Sequence, residues 1–226
     1  MPFKLSPSVL NLMQECPRCF WLHFHGKQRP LAIFSSLPSG MDSILKIHFD
    51  KFMEKGILPP ELKREKECCN YKLFDDEDLL REWRNSRKGL WIEDEDGNIL
   101  HGGIDNLLVN KKNNKIIVLD YKTRGFPLKD ETAKHYQLQI DIYNFLLREI
   151  GYETEDFAFL LFYVPKEVAE TGEVIFDTQL VKMKVDIDNA KKTWEKAIRL
   201  LNGKCPLKHK DEQGEICEWC ELMSEE

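Results

Sequence analysis

The 226-residue chain lacks several features that would assign it to a class at once. It has no apolar run long enough to span a bilayer, which takes about 20 residues. Its opening, MPFKLSPSVLNL, lacks the charged-then-apolar order of a secretory leader. Its seven cysteines are odd in number and have no secretory setting. A disulfide framework is therefore not expected, and a metal or cluster role has to be considered. No internal repeat or low-complexity tract is visible. A basic excess is lacking too: the net charge of -6 argues against a protein that coats nucleic acid by bulk electrostatics. Together these absences lead us to expect a soluble, cytoplasmic protein with one substantial domain, the length allowing two small ones without requiring them.

What is present is an ordinary globular balance, 42% hydrophobic and 32% charged, enough to build a packed core. The charge is unevenly spread. Between His101 and Arg148 there are eight Lys/Arg against five acids, a basic segment compatible with phosphate contact at one place. Ser6-Pro7 has the form of an N-cap and a first-turn proline, opening a short helix to about Glu15. Ile44, Leu45, His48, Phe49, Phe52 and Met53 recur at helical spacing and stop at Gly56. Residues 57–90 are charged and mixed, with helix expected around DDEDLLREWRNS. DETAKHYQLQIDIYNFLLREIG has the strongest helical pattern, FAFLLFYV reads as a buried strand, and EVIFDTQLVKMKVD alternates like a half-exposed one. A last helix carries Trp194, Ala197, Ile198 and Leu201 on one stripe, with Gly203 as its C-cap. This order predicts an α/β layered core with a small mixed sheet.

Within it, GGIDNLLVNKKNNKIIVLDYKT is unusual. Two otherwise apolar strand-like segments each carry one aspartate, which strands disfavour. If KKNN is a four-residue loop, Asn110 faces Lys115 and Asp105 falls opposite Asp120, with Cβ atoms about 4.5–5.5 Å apart. Asp120 and Lys122 then share a face. Two carboxylates this close repel unless a cation lies between them, and a hard ion such as Mg²⁺ suits the place. The plainer alternative is an exposed hairpin whose polar face happens to carry these groups.

GGID, then DYK, then QIDIY on a helix resembles the PD-(D/E)xK nuclease superfamily. More narrowly it is similar to the RecB-like branch that includes the CRISPR-associated spacer-acquisition exonucleases and the AddB nuclease domain. The resemblance implies a restriction-endonuclease-like core spanning residues 1–226 as one domain. It implies Asp105 as the first acidic motif, Asp120 and Lys122 as the (D/E)xK motif, and Gln139 and Tyr143 as the QxxxY motif. Mg²⁺ or Mn²⁺ would be held by Asp105, Asp120, the backbone carbonyl of Tyr121 and His48. The implied activity is metal-dependent exonuclease action on single-stranded or frayed DNA ends, in spacer acquisition or recombinational repair. From the residues alone, His48 also fits a core histidine on an apolar stripe, and Gln139 and Tyr143 also fit a pair flanking one. A nucleic-acid-binding or complex-forming module with a vestigial site is the alternative function.

The cysteines lie mostly near the two ends, and residues 1–40 and 203–226 are expected to form a metal- or cluster-bearing subregion. The resemblance implies a [4Fe–4S] cluster on Cys16, Cys205, Cys217 and Cys220, since such a cluster needs four thiolates. The eleven residues between Cys205 and Cys217 depart from the family's closely spaced set. Zn²⁺, with Cys19 or His209 as a substitute ligand, and reduced thiols without metal are the alternatives. Cys68 and Cys69 are expected to be structural.

Overall fold

The structure, a computed structural model, describes residues 2–30, 36–85, 89–210 and 214–222. The chain enters through a two-residue strand, β1 (Lys4–Leu5), and two helices, α1 (Pro7–Glu15) and α2 (Pro17–Phe24). Proline opens both helices, at a position whose N–H has no partner in any helix. Ser6 has the extended backbone of an N-cap but makes no side-chain capping bond; its Oγ lies 3.0 Å from Ser8 Oγ instead. Helix α3 (Ser36–Met53) carries His48. It ends before Gly56, whose φ of 66° suits a left-handed helix exit.

The mixed region resolves into α4 (Pro60–Lys63), β2 (Tyr71–Leu73) and α5 (Glu77–Trp83). Next come β3 (Leu90–Glu93), β4 (Ile99–Gly102), β5 (Asn106–Asn110) and β6 (Ile116–Thr123). Helix α6 (Gln137–Glu149) follows, then the long strands β7 (Phe157–Val168) and β8 (Val174–Lys184). Helix α7 (Ile187–Leu201) and the short α8 (Glu218–Leu222) complete the chain.

The main sheet has five strands in the order β2-β5-β6-β7-β8, antiparallel except where β6 and β7 run parallel across the α6 crossover. Its first six β6 residues, Ile116 to Tyr121, are all buried, as a central strand covered on both faces requires. A second sheet, β1-β4-β3, was not expected. Its strands are two to four residues long, too short for alternation to be visible in the sequence. Helix α3 covers one face of β6, where the Phe49 and Tyr121 rings lie 4.6 Å apart. Helix α6 covers the other and packs on α7, with Phe145 and Trp194 rings 6.4 Å apart.

Asp141 ties those two helices together. Fully buried, it accepts hydrogen bonds from Gln137 Nε2, Asp186 N and Asn189 Nδ2 at 2.7–2.8 Å. One connected apolar core runs from Leu5 to Leu201, and a separate small cluster joins Cys16, Cys19 and Cys220. Among the described residues, no helix is long and apolar enough to cross a membrane.

Candidate active site

The β5–β6 ladder stops at the rung pairing Asn106 with Leu119, in the register that the four-residue loop predicts. Asn114 makes that loop possible by taking a left-handed φ of 61°, which asparagine tolerates. Asp105 and Asp120 are the next pair beyond the last rung, where the two strands part. Asp105 therefore lies in the turn between β4 and β5 rather than inside a strand. The splay frees the Tyr121 N–H, which donates to Asp105 Oδ2 at 3.0 Å. Helix α5 supports the turn: Ile104 N–H donates to Trp83 O at 3.1 Å, and Arg84 Nε to Asp105 O at 2.8 Å.

Side chains alternate along β6, so Tyr121 faces α3 while Asp120 and Lys122 face α6. Asp120 is only 2% exposed. Lys122 Nζ lies 2.5 Å from Asp120 Oδ2, 3.0 Å from Gln139 Oε1 and 4.5 Å from the centre of the Tyr136 ring. The approach to Oδ2 is off the direction a hydrogen bond needs, which leaves that buried oxygen without one. Gln139 Nε2 donates to Asp120 Oδ1 at 3.2 Å and to Tyr143 OH at 2.7 Å. Gln139 and Tyr143 are one turn apart on α6 and share a face, as the QxxxY spacing requires.

Tyr143 is seated by Gly102, where a Cβ would come within 2.6 Å of its ring carbon Cε1. The five residues Asp105, Asp120, Lys122, Gln139 and Tyr143 thus converge at one end of the main sheet. Gln139 and Tyr143 line an open cleft of about 430 Å³, together with Lys46, Arg84 and Ser6–Ser8 at the start of α1.

Burial pushes the Asp120 carboxyl up to about 7, against the pull of Lys122 and with the help of the Asp105 charge. Burial works against the Lys122 charge as well, but Asp120 outweighs it and holds the ammonium above its usual range. The two form a buried ion pair, with Asp120 Oδ2 on Lys122 and Oδ1 on Gln139.

His48 stands elsewhere. Its Nε2 lies 3.0 Å from Glu61 Oε1, and that oxygen also accepts from Tyr163 OH at 3.1 Å. The α3 residue that reaches the carboxylates is Lys46, with Nζ 3.1 Å from Asp105 Oδ1 and 2.8 Å from Asp42 Oδ2. Two helical residues apart means roughly 200° of rotation, so the two side chains leave α3 on nearly opposite sides. Arg84 is the other residue that motif reading missed; its Nη1 lies 2.8 Å from Asp50 Oδ2. A signal for Lys46 existed: it precedes Phe49 and Met53 by three and seven positions, on the face turned to the sheet. None existed for Arg84, whose partner Asp105 is 21 residues away.

At the chain ends, Cys16, Cys19, Cys217 and Cys220 bring their Sγ atoms within 4.8 Å of one another. Among the described residues this is the one group of three or more His, Cys, Asp or Glu side chains close enough to hold a metal ion. Three of the four cysteines expected at this place are present, and Cys19 stands where Cys205 was expected. The half-buried Cys205 receives Arg18 Nη1 at 3.2 Å instead. The reason is local: Cys16 Sγ caps α2 by accepting from Cys19 N, so one helical turn carries both thiols to the same side. His209 contributes only its backbone carbonyl, to Cys217 N at 3.0 Å. Burial pushes the Cys16 thiol up to about 11 and raises Cys19 as well. At Cys217 burial is outweighed by hydrogen bonds from the Cys220 backbone and the Cys19 and Cys16 thiols, and its pKa falls. Cys68 is buried in the main core and Cys69 is exposed, both remote in sequence from this group.

No curated protein matches the chain. Among solved structures, the crystal structure of SSO0001 is similar at 15% identity, over 90% of this chain and 79% of that one, with a TM-score of 0.41. The profile of the PD-(D/E)XK nuclease superfamily matches residues 72–224, a stretch that contains Asp105, Asp120, Lys122, Gln139 and Tyr143. With more than half of its length matched, the chain belongs to the PD-(D/E)XK nuclease superfamily.

Proposed function

We propose that the protein is a Mg²⁺- or Mn²⁺-dependent deoxyribonuclease acting exonucleolytically on single-stranded or frayed DNA ends, in spacer acquisition or recombinational repair. Residues 1–226 would act as one domain. The observation that carries the nuclease activity is the linked set Asp120, Lys122, Gln139 and Tyr143 beside Asp105, two of whose members, Gln139 and Tyr143, line a cleft. The finer substrate and pathway rest on the resemblance of the motifs to the RecB-like branch.

The donors fit a hard divalent ion. They are all oxygen, and buried Asp120 Oδ2 has an off-axis contact to Lys122 Nζ in place of a well-directed hydrogen bond. Asp105, Asp120 and the Tyr121 carbonyl would hold the ion, and His48 would join them only by leaving Glu61. Bound there, a divalent ion supplies Lewis acidity toward the scissile phosphate and a lowered pKa for its water. The remaining work belongs to side chains. Lys122, pinned between Asp120 and Gln139, presents a fixed positive charge to the charge that develops on the phosphorus oxygens. Gln139 keeps Lys122 from rotating away, and the Tyr143 hydroxyl keeps Gln139 in place.

At the cysteines, one tetrahedral Zn²⁺ fits better than a [4Fe–4S] cluster. Zinc–sulfur bonds of about 2.3 Å put neighbouring sulfurs roughly 3.8 Å apart. The Sγ separations are 3.4 Å for Cys16–Cys220 and 3.7 Å for both Cys19–Cys217 and Cys19–Cys220. In a cube each thiolate binds a different iron, and the four sulfurs stand farther apart.

Digestion of end-labelled single-stranded and duplex DNA, with Mn²⁺ or with chelator, tests the activity. We expect cleavage from an end, Mn²⁺-dependent and missing in Asp120→Ala. Equal cleavage by wild type and Asp120→Ala would overturn the assignment. Metal analysis of anaerobically purified protein should return one zinc and no colour; a brown, iron-bearing protein would restore the cluster.

A further inference from the structure

Resting on the metal site proposed above, we infer that Lys46 is an exchangeable counterion: it occupies Asp105 while the divalent ion is away, and gives up that place to become a phosphate contact when the ion binds. Lys46 Nζ sits 3.1 Å from Asp105 Oδ1, on the carboxylate that the ion would need. The same ammonium is 2.8 Å from Asp42 Oδ2, one turn earlier on α3. The two carboxylates differ in setting: the Asp42 side chain is 42% exposed and the Asp105 side chain 15%. Lys46 thus has a second partner nearer solvent, and it borders the cleft that would take the strand. When a dication takes Asp105, repulsion drives the ammonium outward, and the four-carbon stem lets the head move while its Cα stays on the helix.

The charge balance favours the exchange. Three neighbouring ion-paired groups, Lys46 with Asp42 and Asp105, Arg84 with Asp50, and Lys122 with Asp120, set four carboxylates against three cations. Without the ion the set is net negative and repels a phosphodiester. With the ion it becomes net positive, and Lys46, released from Asp105, is the flexible cation free to meet a phosphate oxygen. Arg84 is the fixed cation of the set, its Nε and Nη1 bonded to Asp105 O and Asp50 and its Cα at the end of α5 rather than on α3 with Lys46. Substrate binding is thereby coupled to metal loading through one side chain.

The test measures metal and DNA binding separately from turnover. In Lys46→Met, Mn²⁺ affinity by calorimetry without DNA should tighten by about tenfold, the scale on which one adjacent charge alters a carboxylate's preference for a cation. Binding of fluorescent single-stranded DNA in non-cleaving Ca²⁺ should weaken by several-fold. Lys46→Arg should stay near wild type on both counts. Asp42→Asn removes the outer partner and should weaken Mn²⁺ binding, the opposite sign, which keeps the inference open to refutation even if Lys46→Met does not fold. Unchanged or weaker Mn²⁺ affinity in folded Lys46→Met, or tighter affinity in Asp42→Asn, overturns it. Asp105→Asn separates the two levels. If it binds Mn²⁺ as wild type does, the metal site falls and the counterion role with it. If it loses Mn²⁺ while Lys46→Met gains nothing, the metal site stands and the role of Lys46 alone falls.

Discussion

The cleft and the cysteine group are built in opposite ways. The cleft is made of hard oxygen and nitrogen donors projecting from β6, α3 and α6, which the main core already fixes. The cysteine group is made of soft sulfurs on the short helices α2 and α8 and the loop before α8, joined to a cluster of three buried residues and a few half-buried neighbours. In the first region the fold positions the ligands. In the second the cysteines themselves make up the buried cluster through which residues 214–222 pack on the N-terminal helices. A metal should therefore matter for chemistry in the cleft and for stability at the chain ends, and the two losses should be separable by mutation.

Asp120→Ala is the largest expected effect on activity. Cleavage should fall by about 10³-fold or more, beyond the loss of a single electrostatic donor. The variant should still fold but melt earlier, since Lys122 is left buried without its carboxylate partner while the repulsion from Asp105 is relieved. Metal lost from the cysteines along with activity would break the distinction from the cleft side. Cys220→Ser attacks the other region. Its loss opens a crosslink between residues 16 and 220 and should cost roughly 3–5 kcal/mol, by analogy with covalent crosslinks closing long loops. Metal content should fall with it, and cleavage should fall only as the folded fraction does. Chemical denaturation with parallel metal analysis reads both.

Asp141 is where the two regions connect mechanically. It joins α6, which carries Gln139 and Tyr143, to the start of α7, which leads to the cysteine tail. Asp141→Ala takes the acceptor from Asp186 N and Asn189 Nδ2, while Gln137 Nε2 keeps Lys184 O, and we expect a loss of about 1–3 kcal/mol. Zinc content should be unchanged, because no thiol is touched. Gly102→Ala is comparable. The new methyl meets a ring that is itself packed in the core, so the Tyr143 hydroxyl should shift from Gln139. The cost should be about 1–3 kcal/mol, with a lower kcat and an unchanged Mn²⁺ affinity. Wild-type kcat in this variant would show that Tyr143 does not position Gln139.

The sequence made these two regions legible to different depths. Apolar periodicity located α1, α3, α6 and α7, because each buries a continuous stripe, and an unbroken apolar run located β7; β8 was legible by its alternation although only Met183 of it is buried. The loop length fixed the register that sets Asp105 beside Asp120, since pairing in a hairpin leaves no other freedom once the turn is chosen. The QxxxY spacing was legible for a similar reason: one helical turn is a fixed distance. Lys46 and Arg84 were not, because nothing in their neighbourhoods records a tertiary partner. The β1-β4-β3 sheet was missed because its pairing joins residues 4–5 to 99–100 through contacts too short to pattern. The cysteine set was legible as a set of chain-end thiols, but its membership depended on which thiols one helix turn brings together.

That membership gives the last and smallest effect. The family resemblance implied Cys205 as the fourth ligand although its spacing departs from the family's set; the structure offers Cys19. Cys205 Sγ takes a hydrogen bond from Arg18 Nη1, which also donates to Pro206 O at 2.8 Å, so the guanidinium stays partnered if the thiol becomes a hydroxyl. Cys205→Ser should therefore leave the metal in place and change stability by no more than about 0.5 kcal/mol, as half-buried polar substitutions commonly do. Cys19→Ser should instead lose the metal and melt early, like Cys220→Ser, because its Sγ lies 3.7 Å from both Cys217 and Cys220. The pair of variants compares two thiols with the same chemistry in one part of the molecule, so a difference between them can only come from geometry. If Cys205→Ser sheds the metal and Cys19→Ser keeps it, the site is the one the resemblance implied, and the loop carrying Cys205 swings in to ligate it.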